Sequence, residues 1–494
     1  MKQILINPKK KKILLDDIPA PLCKDEGVLI QVYYSLISTG TELSSFRKSK
    51  DPYLKKIITE KDFRKKSIDY IKSQGIIKSI KFIKDPDNYF PTGYSGAGVI
   101  IDVGKKITDL KIGERVAYAG AGHAEIVHAP RNFVVKLPDN VEFNDAAFTT
   151  LGGIALQAVR RAKVELGETI LVIGLGLVGQ LVNQLLHVAG CYVIGCDLSE
   201  KKIEIAREFG LKKSIIANKD NIIKKVMNYT DQTGVDAVII CAQSKDSTII
   251  NQAMNVCHEH GKVVVVGDVG LNLDRKPFYL NELDLKISRA YGPGSYDKNY
   301  IKMGIDYPIG YSRWTANRNM REFVKLISKN KVNVKRLIEK EVDIFNVQSA
   351  YEELLLNKEK LMTILLKYKQ FNVEKPISRI IQTSKRKIEK NDNNINVAVI
   401  GAGGISKGYH LPNLMKIREA NIYAIVSGTG INAKKVAREF NAQYCSTDYK
   451  EALEDKNIDC VLIATHHNLH KEIVIASAKS GLFFSSIVAR KQAI

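Results

Sequence analysis

Two glycine-rich turns, far apart on one chain, constrain the fold more than any other feature. Each follows an apolar, β-branched run: Gly174, Gly176 and Gly179 follow residues 169–173, and Gly401 and Gly403 follow residues 395–400. A strand, a glycine turn and a helix in this order let the backbone approach a pyrophosphate, which the N–H groups of the helix N-terminus then hold. The pattern predicts two dinucleotide-binding modules.

The first turn has the sequence context that such a site needs. Leu177 and Val178 open a segment with helical apolar spacing, and the next strand, 191–196, ends at Asp197. A carboxylate there accepts hydrogen bonds from the ribose hydroxyls and repels a 2′-phosphate, so NAD is favoured and NADP stays possible. Because Asp197 is followed by Leu-Ser-Glu, it is also compatible with an ordinary helix start.

Length and composition restrict the class of protein. At 494 residues and 45% apolar content, the chain can bury two or three domain cores. It shows no apolar stretch long enough to cross a bilayer and no signal peptide, so a cytoplasmic protein without a membrane partner is expected. The seven cysteines are scattered without a Cys-x-x-Cys pair, which favours free thiols in a reducing compartment.

The net charge of +22 does not by itself indicate nucleic-acid binding. The lysines are spread along the chain, with local clusters only at 9–12 and 384–390, and no DNA- or RNA-binding motif accompanies them. A solvated basic surface is the favoured interpretation, and no specific nucleic-acid partner is expected. The expected partners are a small-molecule substrate and further copies of the same chain in a homo-oligomer.

The pattern of strands and helices predicts an α/β protein in several units. Residues 1–150 contain many short strands separated by Gly, Pro and Asp, whereas strands and helices alternate in 151–290. Residues 291–369 close this first module. Residues 370–394 are polar and lysine-rich and are predicted to be a linker, and from 395 to 494 a second nucleotide-binding unit follows.

The first module resembles the medium-chain dehydrogenase/reductase family. The matching pieces are residues 35–42, 93–98, 112–116, 123–125 and the first glycine turn. The resemblance covers residues 1 to about 368. It implies a β-rich GroES-like domain, a Rossmann domain and a final return to the GroES-like domain, with hydride transfer at the cleft between them.

The zinc-dependent members of this family carry metal ligands that this chain lacks. Ser38 stands where they have a cysteine, and Tyr94 and Ser95 stand where they have His-Glu. They have another cysteine near the position that Thr149-Thr150 occupies in this chain. None of these positions offers a thiolate or an imidazole, and the four-cysteine structural lobe is also missing. A zinc-free dehydrogenase without a metal site is therefore expected.

Without a metal, hydride transfer needs a hydrogen-bond donor beside the reacting oxygen and a group that exchanges its proton. The candidates in the loops that line the family's cleft are Ser38, Thr41, Glu42, Tyr94 and His123. Tyr94 is the most suggestive because it replaces a ligand, although a tyrosine packed at the end of a strand is an equally good interpretation. His123 is more often structural than catalytic on general grounds.

A second group of candidates lies in the aromatic stretch 291–315, which has little apolar periodicity. Tyr307, Arg313 and Trp314 are predicted to contact a polar, hydroxyl-rich substrate such as a sugar, and an ordered loop or a subunit contact is the alternative. The sequence of this stretch is similar to that of bidomain oxidoreductases associated with polysaccharide genes, and the whole chain resembles these proteins.

The second module is similar to the nucleotide domain of the glucose-fructose oxidoreductase and inositol dehydrogenase family over residues 395–481. Its second strand ends at Ser427 and not at an acid, so the choice between NAD and NADP is open there. The family's Glu-Lys-Pro tripeptide, with its catalytic lysine, and the substrate domain that follows do not appear, and Lys491 cannot take that lysine's role. We therefore expect a truncated, catalytically empty second Rossmann module, with a frameshift near Gly481 as one explanation.

Together these patterns predict an NAD-linked, zinc-independent oxidoreductase that acts on a polar alcohol or carbonyl compound. An NADPH-dependent quinone or enone reductase is an alternative, because such family members also lack zinc. A protein that binds dinucleotides without chemistry is the alternative from another class.

Overall fold

The computed structural model describes residues 1–7, 10–38, 40, 42, 89–356, 361–371, 377–384 and 393–486. The candidate residue Thr41 and position Lys491 lie outside these residues. Within the described parts, no helix is both long and apolar enough to span a membrane.

The amino-terminal part is built from antiparallel strands. They are β1 (Lys2–Asn7), β2 (Lys12–Asp17), β3 (Gly27–Ser38), β4 (Phe90–Pro91), β5 (Ser95–Val103), β6 (Arg115–Ala119), β7 (Ile126–Pro130) and β8 (Val134–Lys136). β1 pairs with β2 and β4, and β3 pairs with β5 and β7 in a larger sheet. Successive side chains of β3 face opposite sides, and both sides are covered: Val28 and Ile30 belong to one apolar cluster and Leu29 to another.

A six-stranded parallel sheet follows. Its elements are α1 (Phe143–Ala146), α2 (Thr149–Ala162), β9 (Thr169–Ile173), α3 (Leu177–Val188), β10 (Tyr192–Asp197), α4 (Glu200–Glu208), β11 (Lys213–Ile216), α5 (Ile222–Tyr229), β12 (Val235–Ile240), α6 (Thr248–Val256), β13 (Cys257–Val265), α7 (Arg275–Leu280) and β14 (Asp284–Ile287). The strand order is β11-β10-β9-β12-β13-β14. This is the doubly wound order, in which a ligand binds at the carboxyl ends of the strands near β9.

The chain then returns to the first sheet. The elements are α8 (Lys298–Lys302), α9 (Ala316–Ser328), β15 (Glu341–Asp343), α10 (Val347–Leu356) and β16 (Thr363–Lys367). β16 pairs antiparallel with β3, with Thr363 opposite Ser38. Residues far apart in the sequence therefore meet at the end of β3.

The second module forms its own six-stranded sheet. Its elements are β17 (Ile381–Gln382), β18 (Ile395–Ile400), a π-helical turn (Ser406–His410), α11 (Leu411–Leu414), β19 (Ala420–Val426), α12 (Gly430–Glu439), β20 (Tyr444–Ser446), α13 (Tyr449–Leu453), β21 (Cys460–Ile463), α14 (His467–Lys479) and β22 (Phe483–Ser486). The strand order is β17-β20-β19-β18-β21-β22, and β22 is an exposed edge.

One element differs from the sequence prediction. Residues 370–394 were expected to be only a linker, yet β17 lies among them and pairs antiparallel with β20. The reason is apolar burial, because Ile380 and Ile381 pack against the two core clusters of the second module. The pair Ile380 and Ile381, in a polar, lysine-rich stretch, gives too short a pattern to reveal a strand.

Candidate functional site

The three glycines of the first turn have three separate structural roles. Gly174 has a φ of +93°, and a Cβ there would lie 2.6 Å from the backbone nitrogen of Ala242. A Cβ on Gly179 would lie 1.9 Å from the carbonyl oxygen of Gly174, so α3 packs against the turn only with glycine at this position. Among the residues that the structure describes, none lies within 4 Å of a Cβ on Gly176, so none of them blocks a pyrophosphate on that side of the turn.

The carboxylate at the end of β10 is fixed against this turn. Asp197 accepts hydrogen bonds from the backbone N–H of Leu175 over 2.7 Å and of Ser199 over 2.9 Å. Lys202 lies 3.8 Å from the Asp197 carboxylate, and 9% of the Asp197 side chain is exposed. The helix α3 starts directly after the turn, at Leu177 and Val178. The turn, the start of α3 and Asp197 are therefore held in one fixed arrangement.

The second turn repeats the first two glycine roles with a different third residue. Gly401 has a φ of +105° and would meet the backbone of Ala464 if it carried a Cβ, and Gly403 is open on its outer side. Ser406 stands at the third position, and its hydroxyl donates to the carbonyl oxygen of Gly401. At the end of β19, Ser427 replaces the acid of the first module, so no carboxylate occupies the ribose position.

Glu42 and His123, both candidate catalytic residues, meet in the interior. Oε2 of Glu42 lies 3.2 Å from Nε2 of His123, and 0% and 3% of the His123 and Glu42 side chains are exposed. The Glu42 carboxylate also accepts hydrogen bonds from the hydroxyls of Thr92 and Tyr351 and from the backbone N–H of Ser38. Every polar atom of the carboxylate is therefore used inside the fold.

The network continues on the other side of the imidazole. Nδ1 of His123 lies 2.7 Å from the Ser35 hydroxyl, which lies 2.7 Å from the hydroxyl of Tyr368. Burial and the nearby Glu42 charge raise the pKa of Tyr351 well above its usual value, so this phenol stays protonated and donates to Glu42.

The charge state of Glu42 follows from these contacts. Burial alone would raise the pKa of this carboxyl group. The charge and hydrogen bond of His123, followed by the hydrogen bonds from Tyr351 and the Ser38 backbone, outweigh burial and lower the pKa below its ordinary value of 4.5. Glu42 is thus ionised at neutral pH, and it is buried, which is typical of a group that organises a loop.

At two of the three ligand positions of zinc-dependent relatives, the side-chain hydroxyls lie against backbone carbonyls. The Ser95 hydroxyl donates to the carbonyl oxygen of Ala147 over 2.6 Å, and the Thr149 hydroxyl to that of Ala146 over 2.7 Å. Thr150 lies 3.3 Å from the carbonyl oxygen of Tyr118. Neutral hydroxyls that bond to backbone carbonyls are poor zinc ligands. Among the residues that the structure describes, no group of three or more His, Cys, Asp or Glu side chains is arranged to hold a metal.

Tyr94 is half-buried, and its backbone bonds to Gly120, which lies close to the phenol of Tyr291. The carbonyl oxygen of Tyr94 accepts the N–H of Gly120 over 2.8 Å, and a Cβ on Gly120 would lie 3.8 Å from the Tyr291 hydroxyl. Burial, then the neighbouring phenols of Tyr296, Tyr300 and Tyr94, raise the pKa of Tyr291 to about 12. Tyr291 is therefore a protonated hydrogen-bond donor at neutral pH.

Another contact joins the parallel sheet to the segment that follows β3. Gln243 follows the carboxyl end of β12, and its side-chain amide lies 3.4 Å from the carbonyl oxygen of Gly40. The loop that carries Ser38 and Glu42 is thus held at the same edge of the sheet as the first glycine turn. Ser38 itself ends β3 and is 6% exposed.

The three predicted substrate residues, Tyr307, Arg313 and Trp314, contact other side chains of the protein. The Tyr307 hydroxyl donates to Asp297 over 2.6 Å, and its ring stacks on Tyr300. The guanidinium groups of Arg160 and Arg313 lie 3.3 and 3.9 Å from the centre of the Trp314 ring. Arg160 is ten residues beyond Thr150 on α2, which places it about 15 Å along the helix from Thr150, whose hydroxyl lies 3.4 Å from the carbonyl oxygen of Tyr94. The structure therefore does not bring Arg313 and Trp314 next to Tyr94.

Comparison with known proteins agrees with this architecture. The family model described as "Zinc-binding dehydrogenase" matches residues 178–304, and that described as "Oxidoreductase family, NAD-binding Rossmann fold" matches residues 395–487. The chain carries a medium-chain dehydrogenase domain followed by a nucleotide domain of the glucose-fructose oxidoreductase and inositol dehydrogenase type. It is an oxidoreductase of the alcohol-dehydrogenase-like class. The match at 178–304 begins after all three ligand positions, so it does not bear on zinc.

Individual relatives resemble the first module over most of their own length. An uncharacterized zinc-type alcohol dehydrogenase-like protein of Escherichia coli is 24% identical over 399 residues, which are 74% of this chain and 98% of the relative. A probable D-xylulose reductase of Aspergillus clavatus is 25% identical over 56% of this chain and 79% of its own. The crystal structure of an Escherichia coli oxidoreductase/dehydrogenase of unknown specificity has a TM-score of 0.58 and 21% identity, and covers 75% of this chain and all of its own.

Several residues of the site were not predicted from the sequence. Tyr351 bonds to Glu42 across 309 residues of sequence, and Tyr368 joins the network through Ser35, from which 333 residues separate it. Gln243 carries no motif at all. Tyr291 lay within the aromatic stretch, where its position directly after the parallel sheet was the available signal.

Proposed function

We propose that the first module transfers a hydride between NAD and the alcohol or carbonyl carbon of a polar small molecule, without a catalytic metal. The observation that carries this proposal is the fixed position of Asp197, which bonds to the first glycine turn through the N–H of Leu175 over 2.7 Å. A carboxylate held there disfavours a 2′-phosphate, which supports NAD over NADP and a dehydrogenase over an NADPH-dependent quinone reductase.

The dinucleotide would be held by the residues of the first turn. The open side of Gly176 and the backbone N–H groups at the start of α3, from Leu177 to Gly179, suit a pyrophosphate, and Asp197 suits the ribose. When bound, the nicotinamide supplies or accepts the hydride. The chain's own residues then have to orient the substrate and stabilise the oxygen whose charge changes during transfer.

Tyr94 is the best candidate for that task. Its phenol stands at a position that is a ligand in zinc-dependent relatives, and Tyr291 provides a second protonated phenol nearby. A hydrogen bond from Tyr94 to the substrate oxygen would stabilise a developing alkoxide. Tyr291 would help to exclude water or would donate a second hydrogen bond to the same oxygen. Ser38 and Thr41 stay in the proposal as loop residues that could contact the same oxygen.

Glu42 and His123 have a positioning role in this proposal. Both side chains are inside the protein, and their contacts hold the end of β3 and the segment around Thr92, which leads directly to Tyr94. Their joint network replaces a metal as the element that fixes the geometry of the loop. Neither group needs to touch the substrate.

A polyol or a sugar-derived substrate remains our proposal for the substrate class. One relative is named a xylulose reductase, and Tyr291 and Tyr94 offer phenol groups to a hydroxyl-rich ligand. Arg313, Trp314 and Tyr307 would contact a longer substrate only, because Trp314 lies at the far end of α2.

We further propose that the second module binds a dinucleotide through Gly401 and Gly403.

The test is turnover of the Tyr94→Phe protein. A panel of polyols with NAD, and of the matching ketoses with NADH, is followed by NADH absorbance. With the substrate that turns over, kcat should fall by about 100-fold or more while NADH affinity stays unchanged. Tyr118→Phe is the matched control, because the buried Tyr118 hydroxyl has no hydrogen-bond partner to lose among the residues that the structure describes.

Other results would favour other functions. An unchanged kcat for Tyr94→Phe would remove Tyr94 from the reaction. Tight NADH binding without turnover of any compound would favour a dinucleotide-binding protein without chemistry. A strong preference for NADPH with quinones would favour the quinone reductase alternative.

A further inference from the structure

The second module is docked on the first through a buried ionic contact. Nζ of Lys434, in α12, donates to Oδ1 of Asp16 over 2.7 Å and to the carbonyl oxygen of Asp17 over 2.6 Å. Only 7% of the Lys434 side chain is exposed, and Arg438 lies 3.6 Å from the other Asp16 oxygen. Because lysine is buried this far only when it is paired, the contact fixes α12 against the end of β2.

The residues after β2 extend this contact along the second module. A Cβ on Gly430 would lie 2.3 Å from the carbonyl oxygen of Pro19, so only glycine fits at the start of α12. The hydroxyl of Thr447, which directly follows β20, donates to the carbonyl oxygen of Ala20. Ile18 is 2% exposed and Ala20 0%. Residues 16–20 therefore lie along the carboxyl ends of β19 and β20.

This edge of the sheet is where the adenosine half of a dinucleotide belongs. In doubly wound folds, the ribose binds at the end of the second strand, beside the glycine turn. Here that position is Ser427 and Gly428, and no atom of the described residues lies within 4 Å of a Cβ on Gly428 or on Gly403. The turn and the ribose position are thus open among the described residues, and Pro19 lies against Gly430, two residues after Gly428.

The helix α12 connects the docking contact with the turn. The side-chain amide of Asn432 donates to the carbonyl oxygen of Ala402 and to the Ser427 hydroxyl, both over 2.9 Å. Lys434, two residues later, contacts the first module. A displacement of α12 from Asp16 would therefore also disturb the groups that shape the second site.

We propose that residues 16–20 of the first module complete the adenosine end of the second dinucleotide site, so that this site binds tightly only while Lys434 is docked on Asp16. The proposal rests on the second module being a dinucleotide site. Lys434 is a positioning residue in it, since its ammonium group is already used by Asp16 and Asp17.

The two open glycines allow each site to be studied alone in the full chain. Gly176→Val fills the first site and Gly403→Val the second, without a clash with the protein. In the Gly176→Val protein, the affinity of the remaining site for NADH and for NADPH is measured by nucleotide fluorescence. Adding Lys434→Met, or separately Thr447→Val, should weaken the better of the two ligands at least tenfold.

Matched controls separate this effect from general damage. Lys219→Met removes another lysine contact of 2.6 Å, to Glu200, but at the surface of the first module, and should leave the affinity unchanged. In the Gly403→Val protein, Lys434→Met should not alter NADH binding at the first site. Unchanged affinity in both docking variants, or no dinucleotide binding in the Gly176→Val protein, would overturn the proposal. Loss of NADH binding in Gly403→Val alone would instead contradict the function proposed for the first site.

Discussion

The strongest prediction for stability concerns the buried carboxylate of Glu42. Its four hydrogen-bond donors are His123, Thr92, Tyr351 and the Ser38 backbone. Glu42→Gln keeps the size of the side chain and one acceptor oxygen but removes the charge. Breaking a buried ionic contact by changing one partner costs about 3–5 kcal/mol. Because the amide keeps some of the hydrogen bonds, we expect a loss near the lower end, roughly 3 kcal/mol.

The pH dependence gives this prediction a sign that packing alone would not produce. The folded pKa of Glu42 is lower than its ordinary value of 4.5, so ionised Glu42 stabilises the fold fully above that pH. This contribution is lost as the pH falls through the lower, folded pKa. The difference between the parent protein and Glu42→Gln should therefore be largest near pH 7 and shrink below about pH 4.5.

Urea unfolding followed by circular dichroism at several pH values measures the effect. Glu200→Gln is the matched control, because it changes a carboxylate that is paired with Lys219 at the surface, and should cost less than about 0.5 kcal/mol. A Glu42→Gln protein within 0.5 kcal/mol of the parent, or a difference that does not fade in acid, would refute the assignment of Glu42 as an ionised organiser of the loop.

Three further predictions follow from the first site and the thiols. Asp197→Ser should raise the Kd for NADH about tenfold and reduce the preference over NADPH, as measured by fluorescence titration. Gly179→Ala should lower the melting temperature, because its Cβ would lie 1.9 Å from a carbonyl oxygen, whereas Gly176→Ala should leave the melting temperature unchanged and weaken NADH binding. Burial raises the pKa of all seven thiols, to about 11 or 12 for six of them, and these thiols belong to Cys23, Cys191, Cys196, Cys241, Cys257, Cys445 and Cys460. The native protein should therefore react slowly with a thiol reagent at pH 7, and the urea-unfolded protein should react quickly.

The sequence predicted the local parts of the fold because they are encoded by short patterns. The strand before Gly174, the turn and α3 are continuous in sequence, and the class of the fold is confirmed. The centre around Glu42 and His123 could not be predicted, since Tyr368 arrives through the pairing of β16 with β3 and Tyr351 comes from α10. The sequence placed Glu42 and His123 among the catalytic candidates but gave no measure of burial. Their burial became visible only with the packing.

Comparison of the two glycine turns on this chain distinguishes the roles of the second and third glycine positions. In the first, the third glycine lets α3 approach the turn, and a Cβ would meet the Gly174 carbonyl oxygen at 1.9 Å. In the second, Ser406 takes that position and donates its hydroxyl to the equivalent carbonyl oxygen, and the helix starts as a π-helical turn over Ser406–His410. A wider first turn of helix makes room for a side chain where an α-helix would not. The third glycine is therefore a packing residue, while the open second glycine, Gly176 or Gly403, is the one that a bound phosphate requires.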